Sequence, residues 1–219
     1  MLHLRRAHLW PLAALLLALV PFTVFFMYRQ NYEFLLYVGV IVFFLVVVAL
    51  TNGRVRYPML LLWGLVVWAI MHMCGGGIPV GEGVLYGVML VPLSETIPVI
   101  RYDQVVHVFG FGVSTLLMYH LLRPLLRNDI RHFAALSIVV AMAGLGTGAL
   151  NEIVEFIATL AVPETGVGGY MNTSLDLVAN LVGAVLAVIL LRLSSYSPGW
   201  LKCSDDSENT KPDYQGDIS

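Results

Sequence analysis

Six times along this chain an apolar run approaches the length needed to cross a bilayer. A helix needs about 20 residues to span roughly 30 Å of hydrocarbon. Runs of that order can be drawn near 9–28, 33–51, 58–73, 102–122, 132–160 and 172–193. Backbone amides and carbonyls in lipid have no water to bind, so runs of this kind must be helical. The expected fold class is therefore all-α: a polytopic transmembrane helix bundle of about six spans, occupying residues 1–194. Composition agrees. Of 219 residues, 58% are hydrophobic and only 12% are charged, against roughly 25% charged in an ordinary soluble domain. Mean hydropathy is +0.82. No basic run of the kind that binds nucleic acid is present, so membrane lipids are the expected surroundings and no nucleic-acid partner is expected. Nothing in the sequence sets an oligomeric state.

The ends and connections add detail. Arg5 and Arg6 before the first run resemble a signal-peptide start, but the run is long for one and no small-residue cleavage site follows. A retained first span is expected. Between the third and fourth runs lie Gly75, Gly76, Gly77, Gly81, Gly83, Pro92 and Pro98. Val84 to Leu93 within this connection is apolar but too short to cross, which predicts a partly embedded or surface-lying segment. The fifth run is too long for one membrane crossing, about 43 Å as a helix, and must tilt, break or protrude. Gly144, Gly146 and Gly148 offer a bend or a close helix contact. Residues 195–219 are polar and acidic, and are expected to form a disordered tail.

Lys and Arg placement sets the orientation. One side carries Arg5, Arg6, Arg54, Arg56, Arg123, Arg127, Arg131, Arg192, Lys202 and Lys211, and the other only Arg29 and Arg101. Both termini are expected to be cytoplasmic. Cys74 and Cys203 then fall on opposite sides and cannot pair, and two isolated cysteines do not make a zinc framework.

This orientation brings the rare polar residues to one layer. The fourth and sixth spans start on the outer side, with Asp103, His107, Asp176 and Asn180 in their outer turns. The fifth ends there, with Glu152 and Glu155 close to its outer end. Residues three and four apart share a helix face. Asp103, His107, Gly110 and Ser114 form one stripe. Gly144, Gly148, Glu152 and Glu155 form a second, and Asp176, Asn180, Gly183 and Ala187 a third. Each stripe is polar outside and small deeper in. Ionisable groups facing lipid are costly, so these six residues are expected to face inward and line one pocket.

Each residue also has an ordinary explanation. Asp103 and Asp176 can act as helix caps or dipole partners. Glu155 can lie solvated at the interface, and His107 can be a hydrogen-bonded interior histidine. Arg101 can pair with an acid or bind an anionic headgroup. His72 can join the layer. With Met71, Met73 and Cys74 it can also suggest a soft-metal site, although neighbouring positions point to different faces of a helix. Glu82, Glu95 and Glu164 read as solvated loop acids, and His120 and His132 fall on the cytoplasmic side. The coincidence across three helices favours a shared site over separate roles.

Carboxylates with an imidazole can hold a divalent metal ion, which can activate water or polarise a phosphoryl oxygen. Asp103, His107, Glu152, Glu155 and Asp176 are the expected ligands, and Asn180 can orient a ligand or headgroup. Without a cation, some of the acids would be protonated, the setting of a proton relay. No phosphate-cradling glycine loop and no nucleophile elbow is present.

At these residues the sequence resembles the YjdF-type family of uncharacterised bacterial inner-membrane proteins and, more distantly, VanZ-like proteins, some associated with glycopeptide resistance. The matching elements run from Pro58 to Leu193: His72 with Met73, Cys74, Gly75 and Gly76; Tyr102, Asp103, His107 and Gly110; Asn151, Glu152 and Glu155; and Asp176, Asn180 and Gly183. One departure stands out. Where the family is expected to carry an Asp-Thr-Gln-Trp-Asp-like run, this chain reads Met171, Asn172, Thr173, Ser174, Leu175, Asp176, so one carboxylate is absent. The resemblance implies a bacterial inner-membrane location and brings no activity with it.

Three functions suit these features. The first is a metal-assisted enzyme acting on an envelope-facing lipid or lipid-linked substrate. The second is a proton- or cation-coupled transporter, against which stands the lack of acids in the cytoplasmic half. The third is a non-catalytic assembly or resistance factor in which the polar residues only hold helices together.

Overall fold

The computed structural model describes residues 6–91, 100–126, 133–163 and 165–193. Among them are six helices long and apolar enough to cross a membrane: α1 (Leu9–Tyr28), α2 (Tyr32–Val55), α3 (Met59–Gly77), α4 (Tyr102–Leu122), α5 (Phe133–Ala161) and α6 (Tyr170–Leu193). This is the all-α bundle expected from the apolar runs. Large side chains such as Leu17, Leu50 and Leu160 stay more than two-thirds exposed, as suits surfaces turned to lipid. Pro92, Pro98, Glu95, Glu164, His132, Cys203 and the acidic tail lie outside the described residues.

Short connections alternate the helix directions. Asn31 caps α2, its side chain accepting the Phe34 N–H at 3.0 Å. At the other end of α2, Asn52 accepts the Tyr57 N–H at 3.2 Å and lies 3.2 Å from His8, while His120 of α4 meets the Val55 carbonyl at 3.1 Å. The starts of α1, α3 and α5 and the ends of α2, α4 and α6 thus share one end of the bundle. The opposite end holds the starts of α2, α4 and α6.

Two apolar clusters fill the interior. One gathers Leu15, Leu19, Phe26, Phe34, Tyr37 and Met73 from α1–α3 and reaches Ala158 of α5. The other joins Leu61 of α3 to Leu116, Tyr119, Val140, Ala187 and Leu191 of α4–α6. Helix α4 is the hub, packed most closely against α6 and also against α3 and α5.

Glycines set these approaches, partly as the stripes predict. A Cβ on Gly183 would run into the Val108 carbonyl oxygen and stand 2.9 Å from the Gly112 amide nitrogen. Helix α6 therefore rests on the α4 backbone. Gly144 makes room for Thr115, and Gly148 for Asn180. Gly110 departs from its stripe: it gives way to Trp68 of α3, while Gly112 takes the place against α6. Helix α5 runs unbroken through its glycines for 29 residues, and Gly144 and Gly148 serve the close helix contact, one of their two expected roles.

Gly75, Gly76 and Gly77 correct a second expectation. They close α3 rather than open the connection. A side chain on any of them would overlap Tyr86, Phe34 or Phe22 respectively, so the absence of a Cβ serves aromatic packing. The connection then forms a two-stranded hairpin, β1 (Pro79–Val80) with β2 (Gly83–Val84), turning at Gly81 with φ +58°. A single 3-10 turn at Leu85–Gly87 follows. The chain returns antiparallel, with Leu90 donating to the Ile100 carbonyl at 2.9 Å and Tyr102 to the Val88 carbonyl at 3.0 Å. This strap crosses the end of the bundle where α4 and α6 begin.

Candidate functional site

The site begins with the start of α4. Arg101 is the N-cap residue, and Gln104, three residues on, reaches back to accept its backbone N–H at 2.7 Å. That is the reciprocal half of a capping box. The same Gln104 donates from Nε2 to Asp176 Oδ1 at 3.1 Å. One glutamine thus closes α4 and ties it to α6. Asp176 is fully buried, and its other oxygen accepts from Asn172 Nδ2 at 2.5 Å. Asn172 also reaches Asp103 Oδ2 at 3.4 Å. Two amides therefore hold the aspartates of α4 and α6 together.

His107 lies at the centre, 7% exposed at its side chain. Its Nδ1 is 2.9 Å from Asn180 Oδ1. The amide oxygen can only accept, so Nδ1 carries the proton in this assignment and Nε2 keeps its lone pair. Nε2 faces Asp103 Oδ1 at 3.6 Å and Glu155 Oε1 at 3.9 Å. On the Nδ1 side, Glu152 Oε1 lies 3.8 Å away. Glu155 also accepts from Asn151 Nδ2 at 2.7 Å. Glu152 differs from all of these. Its side chain is 8% exposed, and both its oxygens are buried without a hydrogen-bond partner.

All six residues singled out from the sequence therefore meet around one imidazole. The cap or dipole explanation fails for Asp176, and for Asp103, which sits where it would complement the α4 dipole, it is incomplete. Asp176 sits in the second turn of α6, and Asp103, although in the first turn of α4, engages Asn172 and His107. Glu155 is 15% exposed at its side chain and hydrogen-bonded, so the solvated alternative does not describe it. His72 stands apart from any sulfur-ligand arrangement. Phe34, Tyr37, Trp68 and Tyr86 surround its ring, with centroids at 5.1–5.7 Å, and its Nδ1 meets the Tyr86 hydroxyl at 2.5 Å.

Two overlapping sets could hold a cation: Asp103, His107 and Asp176, and His107, Glu152 and Glu155. Within each set the donor atoms lie within 4.8 Å of one another. Metal–ligand bonds of about 2.0–2.2 Å place two donors at most about 4.4 Å apart. His107 Nε2 falls inside that limit from Asp103 at 3.6 Å and from Glu155 at 3.9 Å, whereas Glu152 is nearest to Nδ1 at 3.8 Å. In the first set, amides already occupy Asp176 and approach Asp103. In the second, Asn151 occupies Glu155, and Glu152 has no hydrogen bond, only His107 at 3.8 Å.

A sequence profile for DUF2238, a family described as predicted membrane proteins, matches residues 9–195. The chain belongs to the DUF2238 family. The match takes in all six spanning helices and every residue of the cluster, and it agrees with the YjdF-type resemblance drawn from the motifs. No curated protein and no solved structure matches the chain.

In this DUF2238 protein the cluster borders a cleft of about 500 Å³ between the two halves of the bundle. Asp103, Glu155, Asn172, Arg101 and Glu33 supply its polar lining, and Phe34, Val80, Val84, Tyr86 and Val88 its apolar walls. Glu33, 7% exposed, accepts the Gly166 N–H at 2.6 Å and so ties α2 to the connection between α5 and α6. Burial, with Asp103 and Glu155 nearby, pushes the Tyr86 phenol well above its ordinary range. Tyr86 therefore stays protonated and donates to His72. Sequence reasoning left out Gln104, Asn172, Glu33 and Tyr86. Three of them carried a signal. Gln104 follows the N-cap by three, Asn172 precedes Asp176 by four, and Glu33 is the acid of a long apolar segment. Tyr86 carried none, because only the strap brings it to the site.

Proposed function

We propose that this DUF2238 protein is a metal-assisted enzyme acting on an envelope-facing lipid or lipid-linked substrate. His107, Glu152 and Glu155 hold a divalent ion, with Asp103 and Asp176 beside them. The observation that carries this reading is the Glu152 carboxylate, buried beside His107 with no hydrogen bond to either oxygen. A buried ion without a counter-charge costs several kcal/mol, and a cation beside His107 supplies one. Asn180 accepts from Nδ1 and leaves Nε2 for the ion, the usual arrangement for a metal-binding histidine. Asp103 and Glu155 already face Nε2, and Glu152 must turn from the Nδ1 side to join them. The bound ion would polarise an ester or phosphoryl oxygen, or lower the pKa of a water. Asp103, beside His107 and lining the cleft, would take a proton.

Two features favour this reading over its rivals. Beneath the cluster, α4, α5 and α6 close on one another through Gly112, Gly183, Gly144 and Gly148. That packing suits a closed site better than a transport path. A cluster serving assembly alone would satisfy its own hydrogen bonds, which Glu152 does not. The Lys and Arg asymmetry supports a site on the outer face of a bacterial inner membrane, with both termini cytoplasmic.

The test is elemental analysis of purified protein after loading with zinc, manganese or magnesium and desalting. Wild type should retain stoichiometric metal. Asp103→Ala should weaken retention, and His107→Ala and Glu152→Ala should abolish it. Metal retained equally by every variant, or absent from wild type, would sink the proposal.

A further inference from the structure

The cation cluster meets the cleft only at Asp103 and Glu155. Arg101 also lines it, and although its charge is felt by Asp103 and Asp176 it pairs with neither. Its backbone is held firmly: Gln104 accepts its N–H, and it bridges antiparallel to Met89 of the strap. Its Nε is buried without a hydrogen-bond partner. No carboxylate among the described residues reaches ion-pair distance from its guanidinium, although Asp103 is only two residues away. Along the strap side the cleft is walled by Val80, Val84 and Val88 with Phe34 opposite, while Glu33 and Asn172 add polar groups elsewhere in the lining. A guanidinium with a buried, unpartnered Nε, in a cleft that meets the cluster at Asp103 and Glu155 and has apolar walls, has the features of an anion receptor. Arginine matches the planar, multi-oxygen geometry of phosphate better than any other side chain.

We infer that the cleft takes a phosphate monoester or diester carried on a lipid, with Arg101 gripping the phosphate and the apolar trough receiving the first carbons of the chain. This inference rests on the proposed enzyme reading and deepens it by naming the substrate class. Arg101 provides the charge that selects phosphate over a neutral headgroup. A cation held in the cluster would add its charge to the same phosphate where Asp103 and Glu155 line the cleft. Neutral lipids of the same chain length would fill the trough but leave the buried Nε unpartnered.

The experiment measures equilibrium binding of dioctanoyl phosphatidate, dioctanoyl glycerol and inorganic phosphate to the detergent-purified full chain. Each is measured once in a chelator and once after metal loading. Wild type should prefer phosphatidate to the glycerol by about ten-fold or more, the worth of one charge-assisted contact. Arg101→Gln should erase that preference, and Arg101→Lys should retain part of it. The glycerol should bind both variants as it binds wild type, which also reports that the trough is folded. Inorganic phosphate as tight as phosphatidate would assign the site to free phosphate and overturn the lipid inference. An undiminished preference in Arg101→Gln would overturn the role of Arg101. The chelator arm separates the two proposals. Arg101-dependent phosphatidate binding without any metal retention upholds this inference while the metal reading fails. Metal retention without phosphatidate preference does the reverse.

Discussion

Asp176 shows how much a single buried carboxylate can organise. It is fully enclosed and accepts from two amides, one on α4 and one on its own helix. Asp176→Ala would leave both amides without their acceptor in a dry site. The expected loss is about 1–3 kcal/mol for each group left unpaired, read as a lower thermal midpoint in detergent. Asp176→Asn keeps the shape and one acceptor oxygen and should cost less. Glu152 behaves in the opposite way. Because its carboxylate has no hydrogen bond to lose, Glu152→Gln should unfold no earlier than wild type in metal-free buffer. The same variant should lose the stabilisation that metal gives wild type. A midpoint that drops without metal would show Glu152 to be a structural anchor instead.

At the scale of helices, backbone contact decides what can change. Gly183 lies against the Val108 carbonyl and the Gly112 amide, and neither is a flexible side chain that could move aside. Gly183→Ala must push α4 and α6 apart, at about 1–3 kcal/mol for overpacking, and it disturbs the site without touching a site residue. Size-exclusion profiles and thermal midpoints should both report it. Gly146 meets nothing within 4 Å, so Gly146→Ala on the same stretch should be neutral or slightly stabilising through helix propensity. The strap offers another comparison. Ile100 has φ +60°, a region β-branched residues avoid, and it directly precedes Arg101. Ile100→Gly relieves roughly 1–3 kcal/mol of strain, partly offset by the greater freedom of glycine when unfolded. A raised thermal midpoint is the expected result.

For the molecule as a whole, the six spans could be read from the apolar runs, because lipid leaves the backbone so few options. The six clustered residues could be read for a related reason. Charge inside an apolar segment is expensive, and the four-residue spacing from Asp103 to His107 and from Asp176 to Asn180 puts each pair on one face. Two things did not follow from that logic. The Gly75–Gly77 run looked like a loop because local preference was the only guide, whereas the aromatic rings of Phe34, Phe22 and Tyr86 decide its state. The cleft depends on Glu33 and Tyr86, which come from parts of the chain far from Asp103. No spacing rule links residues across separate helices and a strap.

The Glu33 tie to Gly166 has a consequence for how the protein comes apart. It fastens the α1–α3 half to the connection between α5 and α6 at the mouth of the cleft. The halves otherwise meet where α3 packs on α4, and their two apolar clusters remain separate. Melting could then proceed in two steps, with the halves parting before either loses its helices. An occupant of the cleft would touch both halves at once and make them yield together. Calorimetry should therefore show one broad or split transition in the empty protein and a single sharper one when the cleft is filled. Glu33→Gln should widen the separation between the two steps.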